Sequence, residues 1–233
     1  QDDAEQTALH YAARHGSAKV CRALLSSQRA SMIGQTWALT AVQTKDSSGC
    51  SALHIAADCG HAEACRALCA SERFKAFTRA LDCNGWTALH RAARNGHADA
   101  CRVLLDCAQS SRGLLEAQDL KGYTALHLAA AADQVGTCHM LMDRWCEQHA
   151  PAVNFWRIAY RTMLNDLTDD SMNSGANVRD KRGGTALHAA AKAGAAQACQ
   201  ALLEHTAFSS VSAVDDRGRT AADVATGRAK RFF

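Results

Sequence analysis

The sequence predicts an all-α solenoid of stacked helix-turn-helix units, and three observations carry that prediction. The first is a cassette, Asp82 to Leu105, DCNGWTALHRAARNGHADACRVLL, whose layout recurs along the chain. The second is its internal grammar. Asp82 and Gly85 bracket a turn, Thr87 stands where a hydroxyl caps a helix start, and Ala88 to Ala93 is a run of good helix formers. Gly96 ends that helix, because glycine takes the left-handed conformation that satisfies orphan carbonyls. A second helix then starts near Ala98 and runs back antiparallel, with Cys101, Leu104 and Leu105 on one apolar stripe. The third observation is length: helices this short fall below the ~12–15 residues that are marginal alone in water, so each needs a similar neighbour to bury its face.

The neighbours keep a fixed register. Asp46 and Gly49, Asp82 and Gly85, Asp119 and Gly122, Asp180 and Gly183, and Asp215 and Gly218 pair in the same way. The cap and its histidine follow as Thr7 and His10, Ser51 and His54, Thr87 and His90, Thr124 and His127, and Thr185 and His188. Cys21, Cys65, Cys101, Cys138 and Cys199 sit at one common offset beyond those histidines. This pattern resembles the ankyrin repeat, whose T-P-L-H-x-A signature and ~33-residue period stand for a β-turn plus two helices. The resemblance covers nearly the whole chain and implies five full repeats and a partial sixth. The family's proline is alanine in every copy (Ala8, Ala52, Ala88, Ala125, Ala186), which exchanges a pre-set first torsion for the best helix former.

Taken in order, the repeats are expected at about 2–45, 46–81, 82–118, 119–179, 180–214 and 215–233, in a single domain. Repeat one has Glu5 where later copies have the turn glycine. Its connection to repeat two, SSQRASMIGQTWALTAVQTK, is long, and Met32, Ile33, Trp37 and Leu39 can anchor it as a finger on the solenoid. Repeat four has Asp133 where others have Gly16, Gly60, Gly96 and Gly194, which predicts local strain or a shifted helix end. Between Thr124 and Thr185 the spacing exceeds that of neighbouring pairs by about two dozen residues, an insertion placed at 146–176. Within it, Val153, Trp156, Tyr160, Met163, Leu164 and Leu167 follow Pro151 at helical spacing, giving one inserted amphipathic helix between repeats four and five. That helix is expected to pack on the solenoid's side, and the alternative is that it obstructs or extends the binding groove. The last copy keeps one helix, Thr220–Thr226, and the tail GRAKRFF is expected to fray.

Composition limits the function. The net charge of +3, from 26 basic and 23 acidic residues, demands no nucleic-acid or acidic-membrane partner. Eleven cysteines are an odd number, and the five in register read as small buried apolar residues, not disulfides. With no signal-like apolar start and no apolar span of ~20 residues, a cytoplasmic setting is expected, with the nucleus also allowed and no membrane insertion. Gln1 is not an initiator methionine, so the chain is expected to be a fragment of a longer protein.

No catalytic, cofactor or metal site is expected. His61-Ala62-Glu63 before Cys65 imitates half of a zinc deaminase motif, but the completing P-C-x-x-C is missing and repeat three carries the equivalent His97-Ala98-Asp99. Cys59, His61, Cys65 and Cys69 match no common zinc spacing. The recurrent histidines could be general bases one at a time, yet catalysis needs one asymmetric constellation, whereas a stack needs the same bond in every unit. In ankyrin repeats the Thr and His have that structural role. The chain also has no G-x-S-x-G, H-E-x-x-H or P-loop string.

The resemblance implies a non-catalytic module that binds a protein through the turn tips and the exposed side of each first helix, which line a concave groove. Those positions are Ser47, Ser48, Cys50 and Asp58 in repeat two, and Cys83, Asn84, Trp86, Arg91, Arg94 and Asn95 in repeat three. Repeat four supplies Leu120, Lys121, Tyr123 and Ala131, and repeat five Lys181, Arg182 and Lys192. Trp86 and Tyr123 hold equivalent places on adjacent tips, and aromatics next to Arg and Lys have the composition of a binding hot spot, the alternative being that they cover the neighbouring turn. The expected anchors are therefore Trp86 and Tyr123. Asn84, Asn95 and Lys192 are further expected contacts, and Arg91, Arg94, Lys121 and Arg182 set the charge preference for an acidic or polar segment of a partner protein met by a monomeric chain. The alternative function is a scaffold or regulatory region of a larger enzyme whose catalytic domain lies outside this chain.

Overall fold

The computed structural model describes residues 1–26, 44–70, 76–108, 110–149, 175–205 and 210–233. Among them are twelve α-helices and no strand. Six form an inner row: α1 (Ala8–Arg14), α3 (Ala52–Asp58), α5 (Ala88–Arg94), α8 (Ala125–Ala131), α10 (Ala186–Ala193) and α12 (Ala221–Val224). Five form an outer row: α2 (Ala18–Ser26), α4 (Ala62–Leu68), α6 (Ala98–Cys107), α9 (Val135–His149) and α11 (Ala196–Glu204). Each of the first five inner helices packs on its own outer helix and on the inner helix of the next repeat, and the outer helices stack in the same order. The twelfth, α7 (Ser111–Leu115), lies between α6 and the fourth turn, packs on α6 and α9, and starts at Ser110, whose hydroxyl accepts the Gly113 N–H at 3.1 Å. Among the described residues no helix is long and apolar enough to cross a membrane.

Small side chains let the rows close. Ala13, Ala56, Ala57, Ala92, Ala93, Ala129, Ala130, Ala190 and Ala191 are wholly buried where inner helices meet, and Leu68, Leu89, Leu104, Leu105, Leu187 and Leu202 fill the space behind them. The in-register cysteines Cys21, Cys65, Cys101, Cys138 and Cys199 are also wholly buried. Burial pushes the thiols of Cys65 and Cys138 up to about 12 and that of Cys199 up to about 11, so they behave as apolar spacers.

The recurrent Thr-x-x-His pair is the link between units. In α5, Thr87 N–H donates to His90 Nδ1 at 3.2 Å and the Thr87 hydroxyl lies 2.8 Å from the same nitrogen. A ring nitrogen that accepts leaves its proton on Nε2, and this donates to the Tyr123 carbonyl of the next repeat at 3.0 Å. The same bridge runs from His10 to the Cys50 carbonyl, from His54 to Trp86, from His127 to Gly184 and from His188 to Arg219. In every case the acceptor is the residue just before the next cap. Each histidine therefore ties its own helix start to that of its neighbour.

The turns form as the Asp and Gly spacing requires. Asp82 Oδ1 accepts the N–H groups of Asn84 and Trp86, and Asp46, Asp119, Asp180 and Asp215 repeat this chelation. Repeat one has the turn too, despite its missing glycine. Asp2 Oδ1 accepts from Ala4 and Gln6, and Glu5 takes the left-handed conformation itself at φ 58°.

Asp133 is likewise left-handed at φ 56°, and the strain expected there comes without a shifted helix end, since its N–H bonds Ala130 O as Gly96 N–H bonds Ala93 O. At the glycine positions a Cβ would strike the side chain that the next repeat places seven residues after its histidine: His61 over Gly16, His97 over Gly60 and Gln134 over Gly96. Repeat five has Ala195 there, which leaves room for Asp133. Asp133 Oδ1 then accepts the Ala198 N–H at 2.7 Å and caps α11 from the preceding repeat.

The tail, expected to fray, is packed. Gly227–Arg231 is a 3-10 turn with Ala229 fully buried against α11, and Thr226 is fixed by its N–H to Ala191 O and its hydroxyl to Lys192 O. The long finger with Met32, Ile33, Trp37 and Leu39, and the inserted helix with Val153 to Leu167, lie outside the described residues. α9 itself runs unbroken through Cys146 to His149.

Candidate functional site

The surface to consider is the row of turn tips together with the exposed ends of the inner helices. Adjacent tips are tied by backbone bonds, Ser47 N–H to Ala4 O, Cys83 N–H to Ser48 O, Lys181 N–H to Lys121 O and Asp216 N–H to Arg182 O. Between tips three and four the tie is a side chain instead, Trp86 Nε1–H donating to Asp119 Oδ2 at 2.9 Å. The row is thus a continuous, hydrogen-bonded ledge. Its outward residues are Asp3 and Glu5, Ser47 and Ser48, Cys83 and Asn84, Leu120 and Lys121, Lys181 and Arg182, and Asp216 and Arg217, all exposed.

At repeat three several expected binding residues also serve the scaffold. Arg91 reaches Asp82 Oδ2 through Nε at 2.9 Å and Nη2 at 2.6 Å, and Asp58 Oδ1 through Nη1 at 3.4 Å, leaving its side chain 17% exposed. Burial alone would raise the Asp82 carboxyl, but the Trp86 N–H and the Arg91 guanidinium outweigh it and hold the group below the ordinary carboxylate range. Asn95 Nδ2 donates to Asp58 O at 2.9 Å. Trp86 is half-buried, with the Arg94 guanidinium 5.1 Å and that of Arg91 5.9 Å from its ring centroid. Tyr123 is half-buried as well, stacked on His127 at 5.6 Å, and burial raises its phenol. Cys50 is buried, and its thiol is pushed up to about 11.

The expected residues therefore divide in two. Asn84, Arg94, Lys121, Arg182 and Lys192 are exposed, and Asn95 is exposed while bonded to Asp58. Trp86, Arg91 and Tyr123 are partly enclosed by neighbours that fix their orientation. Repeat one supplies outward residues on the same row that the sequence reading passed over, Tyr11 and Arg14 on α1, His15 just after it, and Asp3 and Glu5 on the first tip. The available signal was Asp2, which precedes Glu5 by the interval that separates each later Asp from its Gly.

The recurrent histidines are occupied at both ring nitrogens, so none presents a free nitrogen for proton transfer. His61 Nε2 donates to Arg14 O and His97 Nε2 to Asp58 O, which gives the deaminase-like string a scaffold role. Among the described residues no group of three or more His, Cys, Asp or Glu is placed to hold a metal ion.

Among curated proteins none matches the chain. A family description, ankyrin repeats in three copies, matches residues 1–78, 31–113, 76–152 and 156–230, which together span almost all of it. With the helix pairs, left-handed turns and Thr-His bridges each repeating in register, the chain belongs to the ankyrin-repeat family.

Proposed function

We propose that the chain is a non-catalytic protein-binding module that presents its tips and the exposed side of the inner helices as one concave surface to a partner polypeptide. Ankyrin repeats are generally protein–protein interaction modules, and their fold is typically non-catalytic. The observation that supports the reading here is the ledge. Its backbone and turn carboxylates are hydrogen-bonded within the row, while the two tip residues after each turn Asp from Asp46 onward, which differ between repeats, are exposed. Such a surface loses little conformational freedom on binding. Asn84, Arg94, Asn95, Lys121, Arg182 and Lys192 supply its polar contacts, while Trp86, Arg91 and Tyr123 form the firm floor between them.

Affinity capture from the source lysate tests this with two triple variants that keep native helicity. Arg94→Ala/Lys121→Ala/Lys192→Ala lies on the proposed face, and Arg22→Ala/Arg66→Ala/Arg102→Ala lies on exposed positions of α2, α4 and α6. Capture that is lost with the first set and kept with the second is the expected result. The reverse pattern sinks the proposal and moves binding to the outer row.

A further inference from the structure

The tips are electrically unlike each other. The first carries Asp3 and Glu5, the second and third are uncharged at Ser47, Ser48, Cys83 and Asn84, and the sign changes at Lys121 and stays positive at Lys181 and Arg182. Among the described residues these three cations form no ion pair, whereas Arg91 is spent on Asp82 and Arg219 on Asp215. They are also held in place, because Lys181 N–H donates to Lys121 O at 3.1 Å and Asp216 N–H to Arg182 O at 2.9 Å. Leu120, beside Lys121, is 65% exposed, the most exposed large apolar side chain among the described residues.

We propose that tips four and five, with Lys121, Lys181 and Arg182 and with Leu120 beside Lys121, hold an extended acidic segment of a partner protein. This rests on the reading of the ledge as the binding face. Packed helices stand about 8–10 Å apart and extended chain advances about 3.3 Å per residue, so the carboxylates that meet successive tips are about three residues apart. Leu120 leans back over Gly85 of the third tip, so an apolar side chain flanking the carboxylate at tip four, on the side of tip three, meets it. A nucleic acid fits the site less well. It finds aliphatic Leu120 where a base stacks on an aromatic face.

The test is fluorescence anisotropy with three labelled probes: a peptide of about ten residues with Glu at every third position and Leu between, the same peptide with Lys for Glu, and a single-stranded oligonucleotide of similar length. Chemical-shift mapping on the isotope-labelled chain accompanies it. The acidic peptide is expected to bind, to weaken about tenfold or more with Lys181→Glu/Arg182→Glu, to weaken in high salt, and to shift amides at Lys121, Lys181 and Arg182. The proposal is overturned if the acidic peptide does not bind, if the lysine peptide binds as tightly, if the charge reversal changes nothing, or if the oligonucleotide binds tightest. Shifts confined to α2, α4, α6, α9 or α11 defeat the face reading itself, whereas a lysine peptide that shifts the tips defeats the acid preference alone.

Discussion

Asp133 and Ala195 show how one residue licenses another across a repeat boundary. Three glycines with positive φ lie under a His or Gln of the following unit, and the one position that abandons glycine lies under alanine. The coupling can be transplanted. Gly60→Asp alone forces a side chain into His97 at φ 75° and is expected to cost about 2–4 kcal/mol in urea unfolding. His97→Ala alone forfeits its bond to Asp58 O. The double variant is expected to lose less than the two singles together by about 1 kcal/mol or more, and strict additivity would show that the pairing is incidental. The sequence displays Asp133 as an exception to the register. What it conceals is the compensation, because the alanine that permits it lies beyond the insertion and alanine carries no signal of its own.

At the scale of the element, the helix starts are joined by neutral histidines, and neutrality has a pH consequence. Burial, partly offset by the bond to the Trp86 carbonyl, lowers His54 to about 4; burial lowers His127 to about 4 against its bond to Gly184 O, and lowers His90 as well. Below the ordinary histidine value near 6.5 the unfolded chain takes up protons that the folded chain refuses. The stabilisation is therefore complete above about pH 6.5 and is lost as the pH falls towards about 4. The urea midpoint is expected to drop between pH 7.5 and pH 5, by the equivalent of about 1–2 kcal/mol each for His54 and His127, before most carboxylates titrate. His127→Gln keeps a donor for the Gly184 carbonyl without titrating, and it should flatten that drop; an unchanged slope would place the effect elsewhere. His90→Ala, which leaves the Thr87 N–H and the Tyr123 carbonyl without this partner, is expected to cost about 2–4 kcal/mol at pH 7.5. The inner and outer helices were legible because Thr, His, Gly and Cys recur at fixed offsets. α7 was not, since a helix of five residues is too short to show a period and its Ser110 cap resembles any loop serine.

On the scale of the whole molecule, stability in a stack accumulates from neighbour contacts, so units at the ends are held from one side and units in the middle from both. The register made this architecture readable, but the charge gradient along the tips emerges only once the repeats are laid side by side, because a net charge of +3 averages it away. The cysteine column is a ready gauge of how the stack opens. Cys59 and Cys83 are exposed, while Cys21, Cys65, Cys101, Cys138 and Cys199 are buried at one position in successive units. A buried thiol reacts only through local opening, and its rate reports the free energy of that opening. Labelling of the 233-residue chain with a neutral thiol reagent under native conditions, followed by mass spectrometry, is expected to modify Cys59 and Cys83 first, then the half-buried Cys107 and Cys146, and within the buried column Cys21 in the first repeat before Cys101 in the third. Cys101 has repeat two on one side and repeat four on the other, and opening it disrupts both interfaces. If Cys101 instead reacts as fast as Cys21, the stack opens all at once, and the histidine bridges couple the repeats more tightly than a sum of neighbour contacts allows.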